Sequence, residues 1–141
     1  MPTWSHPKRR PFLRATSSDR GPGTNRLLPK ICIAHGGGYL PYYAGRVDRN
    51  FEEKPFTRVN MTKSPSEYMR EHFWYDSCVY NVDMLEFLAQ KVGVSRIVMG
   101  SDYPVGEHDP VGFVMKARGL SSEDVADILG RNAARLLGLS L

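Results

Sequence analysis

Two residues whose side chains can bind metals or move protons stand at the ends of short apolar runs. His35 follows Ile31, Cys32, Ile33 and Ala34 and precedes Gly36, Gly37 and Gly38. Asp102 follows Ile97, Val98 and Met99 in the segment Arg96-Ile97-Val98-Met99-Gly100-Ser101-Asp102-Tyr103-Pro104. An imidazole titrates near neutrality and can exchange protons or bind a metal. The three glycines after His35 leave the backbone bare, so that it can take positive φ and approach a ligand or metal closely. Each residue also has a plainer role open to it. Asp102 caps a turn or pairs with an arginine, because one carboxylate at a strand end is a weak signal; His35 is a core histidine hydrogen-bonded to backbone.

The elements that must hold these residues are legible as apolar patterns. Ile97 to Met99 is too short for a helix and too unalternating for a half-wet strand, so it reads as a buried parallel strand with Asp102 at its tip. Ile31 to Ala34 reads the same way, and Cys32 and Cys78 read as small buried hydrophobes within their strands. Phe73 to Val79 is the third such run. Between them, residues 40–50 suit a helix opened by Pro41, residues 52–66 a loop, and residues 66–71 a short helix. Leu85, Leu88, Ala89 and Val92 form one helical stripe, with Asn81 as its N-cap and Gly93 as its stop. Residues 113–117 suit a short helix. Ser121 and Asp124 open a last helix with Val125, Ile128, Leu129, Leu136 and Leu137 inward and a break at Gly130. Strand-helix alternation of this kind specifies an α/β fold with a parallel sheet.

Charge is unevenly placed along the 141 residues. Residues 1–30 hold seven lysines and arginines against one acid, a net +6, whereas the remainder sums to −2. The formal charge of +4 therefore belongs to the first segment, which argues against a nucleic-acid surface on the folded body. Residues 1–28 are Pro-rich and basic without apolar periodicity, and are expected to be a disordered extension to a domain over 29–141. No apolar run approaches membrane-spanning length. Two unpaired cysteines and no secretory pattern suit a reducing compartment, most simply the cytoplasm.

Two motifs together carry a resemblance. Ala34-His35-Gly36-Gly37-Gly38, with Pro41 and Gly45-Arg46-Val47-Asp48-Arg49, resembles the sixth strand end and following helix of the amidohydrolase-related family, in the branch of aminocarboxymuconate-semialdehyde and resorcylate decarboxylases. Gly100-Ser101-Asp102-Tyr103-Pro104, with residues 132–139, resembles that family's eighth strand and closing helix. The resemblance implies a partial (β/α)8 TIM barrel, its last three βα units, from a metal-dependent enzyme that holds a divalent metal, usually Zn2+. It also implies Asp102 as a metal ligand, His35 as the catalytic histidine exchanging a proton during loss of CO2, and Arg46 as the contact to the carboxylate of a small carboxylic-acid substrate. Arginine's planar fork matches such a carboxylate.

The family's other ligands include a His-x-His pair. The histidines here are His6, His35, His72 and His108, so the pair is missing. His72, His108 and the run Glu107-His108-Asp109 read as surface or structural, since consecutive loop residues lack ligand geometry. The expectation is therefore the C-terminal part of a decarboxylase, or of a hydrolase of the same family, with an incomplete metal site and no activity alone. The other reading is a non-catalytic chain that associates with itself, or with a missing barrel half, through an open sheet edge.

Overall fold

The computed structural model describes residues 30–58 and 61–140, so the extension expected over residues 1–28 lies outside the described residues. Three strands form one parallel sheet in the order β1-β2-β3: β1 (Ile31–Ile33), β2 (Phe73–Asp76) and β3 (Ile97–Val98). Ile33 pairs with Tyr75 and Tyr75 with Ile97. A parallel sheet needs crossovers, and here they are helical: α1 (Leu40–Glu53) and α2 (Pro65–His72) link β1 to β2, and α3 (Val82–Val92) links β2 to β3. After β3 come α4 (Pro110–Met115), α5 (Ser122–Ala126), a wide turn over Asp127–Arg131, and α6 (Asn132–Leu137).

Local chemistry explains most boundaries. Asn81 accepts from the Asp83 and Met84 amides at the start of α3, and Gly93 ends it at φ 88°. The α5 start is a reciprocal cap between Ser121 and Asp124. The same device opens α2, where the Ser64 amide and hydroxyl both donate to Glu67, one residue before the expected start. α1 continues past residue 50 to Glu53, where exposed Arg49 pairs with Glu53 one turn on, at 2.6 Å. The segment expected to be all loop contains a single tight turn at Pro55–Arg58 and then α2.

The core lies between the sheet and the last helices. Leu85, Leu88, Ala89 and Val92 of α3 pack with Tyr75, Ile97, Phe113, Val114 and Ile128. Gly130 lies in a wider helical turn over Asp127–Arg131 whose flanking residues remain helical, so the last helix loosens there but does not break as expected.

Three sequence readings need correction. The inner-face assignment fails for Leu137, which is 69% exposed at the end of α6. Cys32 and Ile31 are also exposed rather than buried. β1 and β3 each have only β2 beside them in the sheet among the described residues, but Ile97 of β3 belongs to the core cluster whereas Ile31 and Cys32 of β1 lie outside it. The strand expected over Phe73 to Val79, β2, stops at Asp76, and residues 77–80 leave the ladder. No helix among the described residues is long and apolar enough to cross a membrane.

Candidate active site at the carboxyl ends of the strands

His35 and Asp102 both lie just beyond the carboxyl ends of parallel strands, where α/β folds gather their chemistry. Neither continues its strand. β1 stops at Ile33, and His35 begins a tight turn over His35–Gly37 with φ 56°. β3 stops at Val98, so Asp102 sits four residues beyond the strand rather than at its tip, with φ 55°. Left-handed backbone is uncommon outside glycine, and it recurs where a turn is held from several sides.

The ladder ends early because other groups claim the next amides. The Met99 amide donates to the Ile128 carbonyl. The Gly100 amide donates to the Ser77 hydroxyl at 3.2 Å. Beyond it the Asp102 carbonyl accepts from the Val105 and Gly106 amides, closing a turn. Its carboxylate accepts from the Tyr80 hydroxyl at 2.9 Å.

The His35 turn is held by a carboxylate that sequence reasoning missed. Asp76, the last residue of β2, accepts from the His35 amide through Oδ2 and from the Gly36 amide through Oδ1, both at 2.9 Å. The Cys78 amide also donates to Oδ1, at 3.0 Å. A signal for it existed, since Asp76 directly follows the apolar run Phe73-Trp74-Tyr75 as Asp102 follows its own. It was hidden because Cys78 and Val79 made the run appear to continue. Gly37 completes the turn at φ 82°, where a Cβ would meet the Tyr75 ring at 2.7 Å.

His35 lines a cavity of about 360 Å³ with Tyr42, Tyr80, Met84, Phe87 and Leu88 among its walls. The wall is largely apolar and aromatic, with the His35 imidazole and the Tyr42 and Tyr80 phenols among its polar groups. Tyr80 joins this cavity to Asp102, because the hydroxyl bonded to the carboxylate belongs to a lining residue. Desolvation, then the bond to Asp102, pushes the Tyr80 phenol up to about 12, so it remains a donor at neutral pH. Desolvation, then the Asp76 charge, raises the Cys78 thiol to about 11, which leaves it inert as a nucleophile.

Arg46 is exposed on α1 and is not among the residues lining this cavity. Glu107 and Asp109 act locally: Glu107 accepts from the Asp109 amide, and Asp109 caps α4 through the Gly112 amide. His72 lies against Glu71 and the Tyr68 ring.

A catalytic metal generally takes three protein ligands. Among the described residues no group of three or more His, Cys, Asp or Glu could hold one. Asp102 and His35 supply two donors at most, and one Asp102 oxygen is already bonded to Tyr80. The residues present do not fit a complete metal site.

The chain is 35% identical over 122 residues to the 2-amino-3-carboxymuconate-6-semialdehyde decarboxylase of Dictyostelium discoideum, covering 83% of this chain and 34% of that relative. It thus spans about a third of the length of the curated relatives it matches. Its fold is similar to 5-carboxyvanillate decarboxylase from Sphingomonas paucimobilis, with a TM-score of 0.71 and 25% identity over 79% of this chain and 34% of that one. It is also similar to a dihydroxybenzoic acid decarboxylase from Polaromonas sp. JS666 with bound manganese and the inhibitor 2-nitroresorcinol, with a TM-score of 0.68 and 25% identity over 77% of this chain and 33% of that one. A model of one family, described as Amidohydrolase, matches residues 13–139. With nearly the whole chain matched and a mixed parallel sheet and helix architecture to suit, the chain belongs to the amidohydrolase family.

Proposed function

We propose that this chain forms the last three βα units of a (β/α)8 barrel decarboxylase acting on an aromatic or enol carboxylic acid. The observation that carries the reading is that the His35 turn and the Asp102 turn lie at the same end of a parallel sheet, both tied to residues 76–80. Two relatives and the neighbours described above bear names of decarboxylases of such acids, which favours decarboxylation over hydrolysis.

Loss of CO2 leaves an electron pair on the substrate carbon, and that carbon must take up a proton. His35 is the residue for this transfer, being exposed at the cavity with no side-chain hydrogen bond to occupy it among the described residues. In this reading Asp102 is one ligand of a divalent metal, zinc in our assignment although manganese is the ion named for the Polaromonas neighbour. The remaining ligands come from strands outside the described residues, and the proton transfer assigned to His35 is not routed through the metal. Arg46, on α1 but not among the residues lining the cavity, serves the substrate carboxylate from across a contact with a second copy. The free cysteines suit a cytoplasmic location.

The test is reconstitution. The 141-residue chain is mixed with a polypeptide equivalent to the amino-terminal two thirds of the Dictyostelium relative, and CO2 release from 2-amino-3-carboxymuconate semialdehyde is followed with metal content. Turnover and bound metal are expected only for the mixture, with turnover abolished by His35→Asn. Stoichiometric metal and turnover in the chain alone would refute the incomplete site; an inert mixture would refute the decarboxylase reading. A second reading, a non-catalytic chain that associates through its edge, is favoured by the exposure of Ile31 and Cys32. It predicts assembly without turnover.

A further inference from the structure

The two candidate reactive residues come from β1 and β3, yet the strand between them does most of the holding. Asp76 offers both carboxylate oxygens to the His35 and Gly36 amides. One residue on, the Ser77 hydroxyl accepts from the Gly100 amide. Three residues further, the Tyr80 hydroxyl donates to Asp102. The fit is close, because a Cβ at Gly100 would meet Cys78 Sγ at 2.9 Å and Asp76 Cβ at 3.0 Å. Ser77 and Cys78 are themselves buried.

We propose that Asp76 and Tyr80 are positioning residues, which together set the place of the His35 imidazole and the Asp102 carboxylate from a single rigid connection between β2 and α3. This rests on the functional reading above and adds to it a part for the central strand. His35 and Asp102 share no element, and each has left-handed backbone that its own strand does not impose. Two amide bonds to one carboxylate select the conformation at His35. One hydroxyl selects the rotamer at Asp102. A catalytic pair loses rate steeply when its members shift by an ångström, so the groups that fix their separation govern turnover without touching substrate.

Two substitutions separate the contacts. In Asp76→Asn one oxygen still accepts from Gly36 and Cys78, while the amide nitrogen faces the His35 N–H and cannot accept from it. Tyr80→Phe removes only the hydroxyl. In the 141-residue chain, hydrogen exchange at the His35 amide is expected to speed about tenfold in Asp76→Asn, and side-chain couplings of Asp102 by NMR are expected to change from one rotamer to an average in Tyr80→Phe. In the reconstituted mixture each variant is expected to lower kcat by roughly 10–100-fold with KM within about twofold. An unchanged His35 amide in Asp76→Asn, a single Asp102 rotamer in Tyr80→Phe, or a loss confined to KM would overturn the proposal. If the wild-type mixture gives no turnover, the decarboxylase reading fails by itself, and the exchange and coupling measurements still decide whether the two residues position His35 and Asp102.

Discussion

β1 and β3 flank the same central strand, yet Ile31 is 39% exposed and Cys32 open to solvent, whereas Ile97 is fully buried and Val98 nearly so. Both segments are apolar, so their composition does not explain the difference. Neighbours do. β3 lies under Ile128 and beside Asn132, and the Asp127–Arg131 turn supplies a carbonyl to the amide just past its end. β1 has only β2 beside it in the sheet among the described residues, and of its three side chains Ile33 alone packs against the core. One flank of the sheet is finished within this chain, and the other presents a surface that a further layer would cover.

The largest effect should come from the finished flank. Ile97→Ala removes a fully buried side chain from the core and is expected to cost about 2–5 kcal/mol by urea denaturation. Asn132→Ala is next. Its amide donates to the Val94 and Ile97 carbonyls at 2.8 and 2.7 Å; the Val94 carbonyl keeps the Ile97 amide, while the buried Ile97 carbonyl loses this donor, at about 1–3 kcal/mol. A cost below half a kilocalorie would mean that water replaces it.

Alkaline pH sharpens the contrast through the strand that the two flanks share. Burial pushes the Tyr75 phenol up to about 12, against about 10 in the unfolded chain. Because the folded value is the higher one, this contribution is fully present below pH 10 and is lost as pH rises toward 12. A urea midpoint that falls over that window, and falls less in Tyr75→Phe, is the expected outcome.

Asn81→Ala removes the α3 cap and should cost about 1 kcal/mol. Ile31→Ala, on the open flank, is expected to cost less than Ile97→Ala, because a side chain already 39% exposed loses less apolar contact. Its signature should lie in association. The wild-type chain is expected to self-associate in light scattering, and Ile31→Lys to reduce it. Equal costs at positions 31 and 97, with a monodisperse wild type, would remove the distinction between the flanks.

Much of this protein was legible in local pattern. The α3 stripe, the Asn81 and Ser121 caps, the Gly93 stop and the three apolar runs each rest on interactions within a few residues, and these the chain carries wherever it goes. The HGGG and GSDYP motifs singled out His35 and Asp102 but set them at the strand ends, whereas the structure places them two and four residues beyond. Asp76 was missed because its partners lie 40 and 41 residues earlier in the chain, and no local pattern records that a carboxylate will meet two amides of another turn. Tyr80 was missed for the same reason, its partner lying 22 residues on.

The sequence by itself determined which segments are strands and helices, because periodicity, caps and backbone chemistry act over one or two turns. Only the tertiary structure decided which apolar strand would be covered, and which side chains would hold the reactive pair in place. Burial and long-range hydrogen bonds depend on what the parallel crossovers bring alongside, and that depends on the whole sheet rather than on any one segment.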